Sequence, residues 1–134
     1  MLGIKPKKSL GQNFLINEGV YRKIVAAAEI KAGDTVIEVG SGLGTLTQYL
    51  LDAGAKVVAV EKDHRLVEFL KQKFQNQKNV TIVEGDILKF NPLNTKYLIQ
   101  NTKYKIIGNI PYYLTSHLLR VIFEKWPPPK VIVL

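Results

Sequence analysis

Val36-Ile37-Glu38-Val39-Gly40-Ser41-Gly42-Leu43-Gly44-Thr45 begins as a strand and ends as a helix. Thr35 to Val39 is β-branched except for Glu38, the composition of a buried strand. Gly40, Ser41 and Gly42 break that run. Thr45 to Leu51 then takes helical spacing, with apolar residues at 46, 49 and 50 and flanking ones at 43 and 53. Strand, glycine turn and helix N-terminus together form a cradle. Glycines let a ligand approach the backbone, and the first turn of a helix offers free N–H groups. Cradles of this kind hold nucleotide-like cofactors.

The dinucleotide fingerprint G-x-G-x-x-G is not met, because the last position falls on Thr45 or Thr47. The pattern present is E-x-G-x-G-x-G, from Glu38 to Gly44. It resembles the first motif of S-adenosylmethionine (SAM) methyltransferases, whose ligand has no pyrophosphate.

Outward from the cradle, strands and helices alternate. Asn17 is placed to cap a helix reaching about Ile30, with Val20, Ile24, Ala27 and Ala28 on one face. Ala53-Gly54 stops the second helix. Lys56 to Glu61 reads as a second strand, and Asp63 as the cap of a helix burying Leu66, Val67, Phe69, Leu70 and Phe74. Val80 to Glu84 is a third strand and Tyr104 to Gly108 a fourth. A short helix or loop is expected around Tyr97 to Gln100. Ser116 to Lys125 is predicted helical, with Leu118, Leu119, Ile122 and Phe123 inward, and Val131 to Leu134 begins a fifth strand. This is βαβ spacing. It predicts an α/β fold with a parallel sheet, right-handed crossovers and helices on both faces.

In such sheets ligands sit beyond the carboxyl ends of the strands. Gly40 to Gly44, Glu61, Gly85-Asp86 and Asn109-Ile110-Pro111-Tyr112 each follow a strand, so all are expected on one rim. Glu61 lies about twenty residues after the first glycine, where a carboxylate accepts from ribose hydroxyls. Asp86, with the Ile87 backbone beside it, can accept from an adenine amine. Glu38 can order the glycine turn.

Asn109-Ile110-Pro111-Tyr112 reads either as a plain Asn-x-Pro turn or as chemistry. An aromatic amine is a poor nucleophile because its lone pair is delocalised into the ring. The Asn109 side-chain oxygen and the Ile110 carbonyl, the latter kept extended by Pro111, can hold its two hydrogens and draw the nitrogen towards a tetrahedral shape. Tyr112 can stack on the base. Catalysis of this kind is orientation and hydrogen bonding, without a covalent intermediate.

Composition narrows the class. The 134 residues fit one domain or part of one. There are no cysteines, and the only histidines, His64 and His117, are far apart, so a metal site is not expected. No apolar run reaches the roughly 20 residues of a membrane span, and residues 1–6 lack the apolar core of a secretory signal. A cytoplasmic location follows as the default. Net charge is +8. After Asp86 the only acid is Glu124, against Lys89, Lys96, Lys103, Lys105, Arg120, Lys125 and Lys130. That balance favours a polyanionic partner such as nucleic acid.

Lys7-Lys8-Ser9-Leu10-Gly11-Gln12-Asn13-Phe14-Leu15, Glu38 to Gly44, Glu61-Lys62-Asp63, Glu84-Gly85-Asp86 and Asn109-Ile110-Pro111-Tyr112 stand in one order along the chain. In that order they resemble the ribosomal RNA adenine N6-dimethyltransferases, specifically the N-terminal SAM-binding portion of the small-subunit, kasugamycin-resistance type. The resemblance implies a Rossmann-like SAM-dependent methyltransferase fold and SAM as cofactor. It places Asn13 and Leu15 in the cofactor site, with Gly40 at the methionine portion, Glu61 at the ribose and Asp86 at the adenine. Gly42, Gly44 and Ile87 complete the cofactor set, and Asn109 serves both cofactor and target amine. It further implies dimethylation of adenosines in small-subunit ribosomal RNA, with immature small ribosomal subunits as partner and a monomeric protein. Two departures stand out. Tyr113 occupies a position that is often Asn, and a C-terminal helical domain is expected to be missing. The chain then reads as a C-terminally truncated domain, with an N-terminal loop over 1–16 and a core over 17–134. The alternatives are a macrolide-resistance methyltransferase acting on large-subunit RNA, a non-catalytic relative of the mitochondrial transcription factor type, and a nicotinamide-dependent oxidoreductase.

Overall fold

The structure, a computed structural model, describes residues 18–93 and 103–134. Five parallel strands form one sheet in the order β3-β2-β1-β4-β5. They are β1 (Thr35–Val39), β2 (Lys56–Glu61), β3 (Val80–Glu84), β4 (Tyr104–Gly108) and β5 (Val131–Val133). The helices are α1 (Glu18–Ala27), α2 (Thr45–Asp52), α3 (His64–Lys73) and α4 (Tyr112–Lys125), and a 3-10 turn covers Ile87–Lys89. The chain winds outward from β1 to β3, then crosses to β4 on the other side of β1. The strand order therefore reverses between β1 and β4, the point at whose carboxyl ends sheets of this kind bind their ligands.

Alternation along β1 divides the core into two layers. Ile37 and Val39 join Val58, Val60, Tyr104 and Ile106 beneath Leu118, Ile122 and Trp126. Val36 joins Val57, Ala59 and Ile107 beneath Ala28, Leu46 and Leu50 on the other face. Strands covered on both faces read as near-continuous apolar runs, which is why β1, β2 and β4 are so rich in Val and Ile.

Several local expectations change. Tyr21, Ile24 and Val25 lead into Ala28 and pack on the sheet, whereas Val20 is 39% exposed and Ala27 faces solvent. The stripe is the one a 3.6-residue repeat ending at Ala28 dictates. The cap expected at Asn17 and the element expected at Tyr97 to Gln100 lie outside the described residues. α4 starts at Tyr112 rather than Ser116, because Pro111 at its N-cap, with φ −60° and ψ 143°, leads straight into the helix. Phe123 is 73% exposed; Leu118 and Ile122 alone on that helix are fully covered, with Val121 packed beside them. α3 begins at its cap as expected, with the Asp63 side chain accepting from the Arg65 N–H.

Lys105 is not part of a solvent-facing basic surface. It lies buried in β4, and its Nζ donates to the carbonyls of Ala28 and Glu29, each at 2.8 Å. It also pairs with Asp34 Oδ2 at 2.9 Å. Burial works against the Asp34 charge, but the bonds from Lys105 and from the Lys31 N–H outweigh it and hold the carboxyl below its usual range. One ammonium thus satisfies the open carbonyls at the end of α1 and ties that helix to the sheet. Lys105→Met should cost about 2 kcal/mol, because it strands the buried Ala28 carbonyl and removes the ion pair with the part-exposed Asp34. Urea unfolding would measure it, and a loss under half a kcal/mol would show that the latch is dispensable.

Candidate functional site

Parallel pairing carries the strand ends to one rim. Val39 stands beside Val60 and Gly108, and Glu61 beside Glu84. The residues that follow, Gly40 to Gly44, Lys62-Asp63, Gly85-Asp86 and Asn109 to Pro111, therefore emerge together.

The glycine loop is held by side chains from below and from the side. Glu61, only 6% exposed, accepts from the Gly42 N–H through Oε1 and from the Asp63 N–H through Oε2, each at 2.9 Å. Burial pushes its carboxyl above the usual range, while these N–H groups pull the other way. The Lys62 N–H acts on the same carboxylate, which leaves only part of its acceptor capacity for a ligand's hydroxyl. Lys73, at the end of α3, donates to the Leu43 carbonyl at 2.9 Å.

The glycines divide the labour. Gly44 sits at φ +82°, and a Cβ there would lie 2.8 Å from Phe74 and 2.9 Å from Leu70. Its bareness lets α3 pack against the start of α2. Gly42 sits at φ +57° and a Cβ there would meet nothing within 4 Å, so its hydrogen faces open space. A Cβ on Gly40 would lie 3.4 Å from Ile110 Cγ2, which brings the loop after β1 against the loop after β4. An open cradle of glycine backbone, beside a carboxylate with acceptor capacity to spare, fits a nucleoside-bearing cofactor.

Asp86 caps the 3-10 turn, its Oδ1 accepting from the Leu88 N–H at 2.9 Å, while Oδ2 lies 3.9 Å from Lys62 Nζ. Ile87 is 6% exposed with its side chain in the core, so only its backbone can face a ligand. Beside them His64 Nδ1 meets Glu84 Oε1 at 2.9 Å, and that bond raises the imidazole pKa. Asn109 is exposed, Ile110 and Pro111 are partly covered, and Tyr112 is 88% exposed at the first turn of α4. Asn13 and Leu15 fall outside the described residues.

Sequence reasoning placed Glu38 near the turn but missed its setting. It is 1% exposed, and Oε1 accepts from Thr47 Oγ1 at 2.5 Å. Its Oε2 and the Ser41 hydroxyl have no hydrogen-bond partner among the described residues. Burial drives the carboxyl up to about 7, against the pull of the nearby Thr47 and Ser41 hydroxyls and with a push from Glu61. The one signal was a lone charge inside an apolar strand.

A glycine cradle after β1, an acid ending β2 and an Asn-x-Pro-Tyr turn after β4, on a sheet of this order, define a Rossmann-like methyltransferase fold. The chain belongs to the ribosomal RNA adenine dimethylase family, which it matches over residues 3–134. It is 47% identical over 132 residues to the ribosomal RNA small subunit methyltransferase A of Dehalococcoides mccartyi strain BAV1, covering 98% of this chain and 45% of that protein. The protein of the same name from Syntrophus aciditrophicus is 47% identical over 121 residues, covering 90% and 43%. The chain thus spans less than half the length of these relatives. Among solved structures it resembles the 23S rRNA methyltransferase ErmE, with TM-score 0.74 and 28% identity over 90% of this chain and 48% of that one. It also resembles a dimethyladenosine transferase from Plasmodium falciparum, with TM-score 0.69 and 30% identity over 90% and 42%.

Two glycine variants separate cradle from packing. Gly44→Ala should cost about 2–3 kcal/mol of stability through overpacking and positive φ. Gly42→Ala should cost about 1 kcal/mol yet impair cofactor binding more. Equal stability losses in thermal unfolding would contradict this division. Glu38 sets a pH dependence of its own. Its folded pKa is raised, so its contribution to stability is full below pH 4.5, the unfolded value, and is lost as pH rises through about 7. Glu38→Gln should therefore gain on the wild type by on the order of 3 kcal/mol between those limits. Urea midpoints that keep a constant difference at acid and neutral pH would refute it.

Proposed function

We propose that this chain binds S-adenosylmethionine across the rim and forms the catalytic part of an enzyme that dimethylates N6 of adenosines in small-subunit ribosomal RNA. The observation that carries the reading is the approach of the Asn109–Tyr112 turn to the glycine loop, Gly40 against Ile110. The similarity to small subunit methyltransferases at 47% identity favours the small subunit over the large.

In this reading the backbone of Gly40 and Gly42 takes the methionine end, Gly44 shapes the turn behind it, and Asn13 and Leu15 supply further cofactor contacts. The remaining acceptor capacity of Glu61 serves the ribose hydroxyls. Asp86 and the Ile87 backbone take the adenine edge, with the Lys62 ammonium giving up its place beside Oδ2. When bound, the cofactor supplies an electrophilic methyl group on a sulfonium. The protein's part is to present the amine. Asn109 Oδ1 and the Ile110 carbonyl accept its two hydrogens, Pro111 holds that carbonyl extended, and Tyr112 stacks on the target base. Immature small subunits are the expected partner, met in the cytoplasm by a monomer. Exposed lysines other than Lys105 supply the salt-sensitive, sequence-independent attraction to RNA.

The test is transfer of labelled methyl from SAM to small-subunit RNA, mapped to individual adenosines. Asn109→Ala should bind SAM to a measurable degree and lose transfer. Tyr112→Ala should lower the rate through lost stacking of about 1–3 kcal/mol. Wild-type rates in either variant would remove the turn from the mechanism.

A further inference from the structure

Glu38 sits in a place that suits a carboxylic acid better than a carboxylate. Thr47 Oγ1 donates to Oε1, while Oε2 and Ser41 Oγ, both buried, have no hydrogen-bond partner among the described residues. The Ser41 hydroxyl is close enough to act on the carboxyl. The Ser41 hydroxyl favours the ionised form, but burial outweighs it: a carboxylate here would hold its charge away from water with one oxygen lacking a hydrogen-bond partner, whereas the acid carries no charge into the dry site. α1 presents Tyr21, whose hydroxyl is raised by burial first and by Glu38 second. α2 presents Thr47. β2 presents Glu61, a like charge, and α3 presents Lys73, a cation that acts on Glu38. β4 presents Ile107, which stands beside Glu38 in the ladder. Lys73 is turned to the Leu43 carbonyl and packs over Phe69 and Phe74. No described cation lies within ion-pair distance of Glu38.

We propose that Glu38 is a proton-linked positioning residue: it is protonated in the cofactor-free protein and releases that proton to solvent when a cationic ligand seats on the glycine loop. The step rests on the reading of this loop as the SAM site. Glu38 lies two residues before Gly40, beneath the turn and shielded from water. A positive charge arriving above the turn acts on it through a poorly screening interior. A ligand neutral at sulfur, S-adenosylhomocysteine, lacks most of that pull. Substrate and product therefore meet different states of the same residue, and Glu38 regains its proton once the methyl group has left the sulfur.

Two measurements decide it. Carbon-13 NMR of glutamate side-chain carboxyls in the cofactor-free protein, with Glu38 assigned by its loss in Glu38→Gln, should show titration near neutrality. Titration in the ordinary carboxylate range overturns the proposal. Calorimetry with SAM and with S-adenosylhomocysteine, in buffers of different ionisation enthalpy, should show more proton release for SAM in the wild type and an equal, smaller value for both ligands in Glu38→Gln. SAM affinity should rise about tenfold from pH 6 to pH 8 in the wild type and stay flatter in the variant, whose amide mimics the protonated acid. Proton release unchanged by the substitution overturns the proposal with the cofactor reading intact. Absence of SAM binding at every pH overturns the cofactor reading and the release step with it.

Discussion

The parallel pairing of β1 with strands on both sides is the constraint on which the molecule depends. Thr35 to Val39 aligns with Lys56 to Val60 on one flank and with Tyr104 to Gly108 on the other, residue for residue. Because side chains alternate, a slip of one position in either ladder would exchange the two apolar layers and turn Glu38 into the opposite face. It would also separate the glycine loop from Ile110. Core and site are therefore fixed by one registration.

Above that frame the loop is set by charged groups used as struts. Glu61 receives two backbone N–H groups, Lys73 reaches a loop carbonyl, and Glu38 stands beneath with half its capacity unused. Such groups are costly to bury; Glu61 and Lys73 are placed where they fix the geometry of loop backbone, and Glu38 instead holds the Thr47 side chain at the start of α2. At the far end of the sheet Lys105 does the corresponding work for α1.

The fold was largely legible because its signals are local. Buried parallel strands announce themselves as Val and Ile runs, and Gly54 and Asp63 mark the ends of helices by their own chemistry. All five strands and the order of elements follow from that. The rim was legible too, since parallel strands place everything after them on one side. The long-range partnerships were not. Nothing around Lys105 reveals that it answers carbonyls on α1, so it read as one more basic residue. Glu38 and Thr47 sit nine positions apart across a turn, and only the packed structure brings their side chains together. The start of α4 was misplaced because Asn-x-Pro reads as a loop, although proline also suits a helix entrance. Phe123 falls in a helical stripe and still points outward, since the sheet reaches only one side of that helix.

The strand order also carries a consequence for the time course of folding. β1, β2 and β3 are consecutive in the chain and adjacent in space, so the glycine loop, Glu61 and Asp86 belong to a unit that can assemble from neighbouring segments. β4 is different. Thr35 must wait for Tyr104, and pairings between such distant positions are entropically slow. Until it docks, the Val39 edge of β1 is unpaired and the apolar layer that meets α4 is uncovered. A nascent chain on the ribosome would thus hold half a pocket before it holds Asn109. Binding of a ligand that spans both halves would draw the late strand into place, making site occupancy a driving force for completing the sheet.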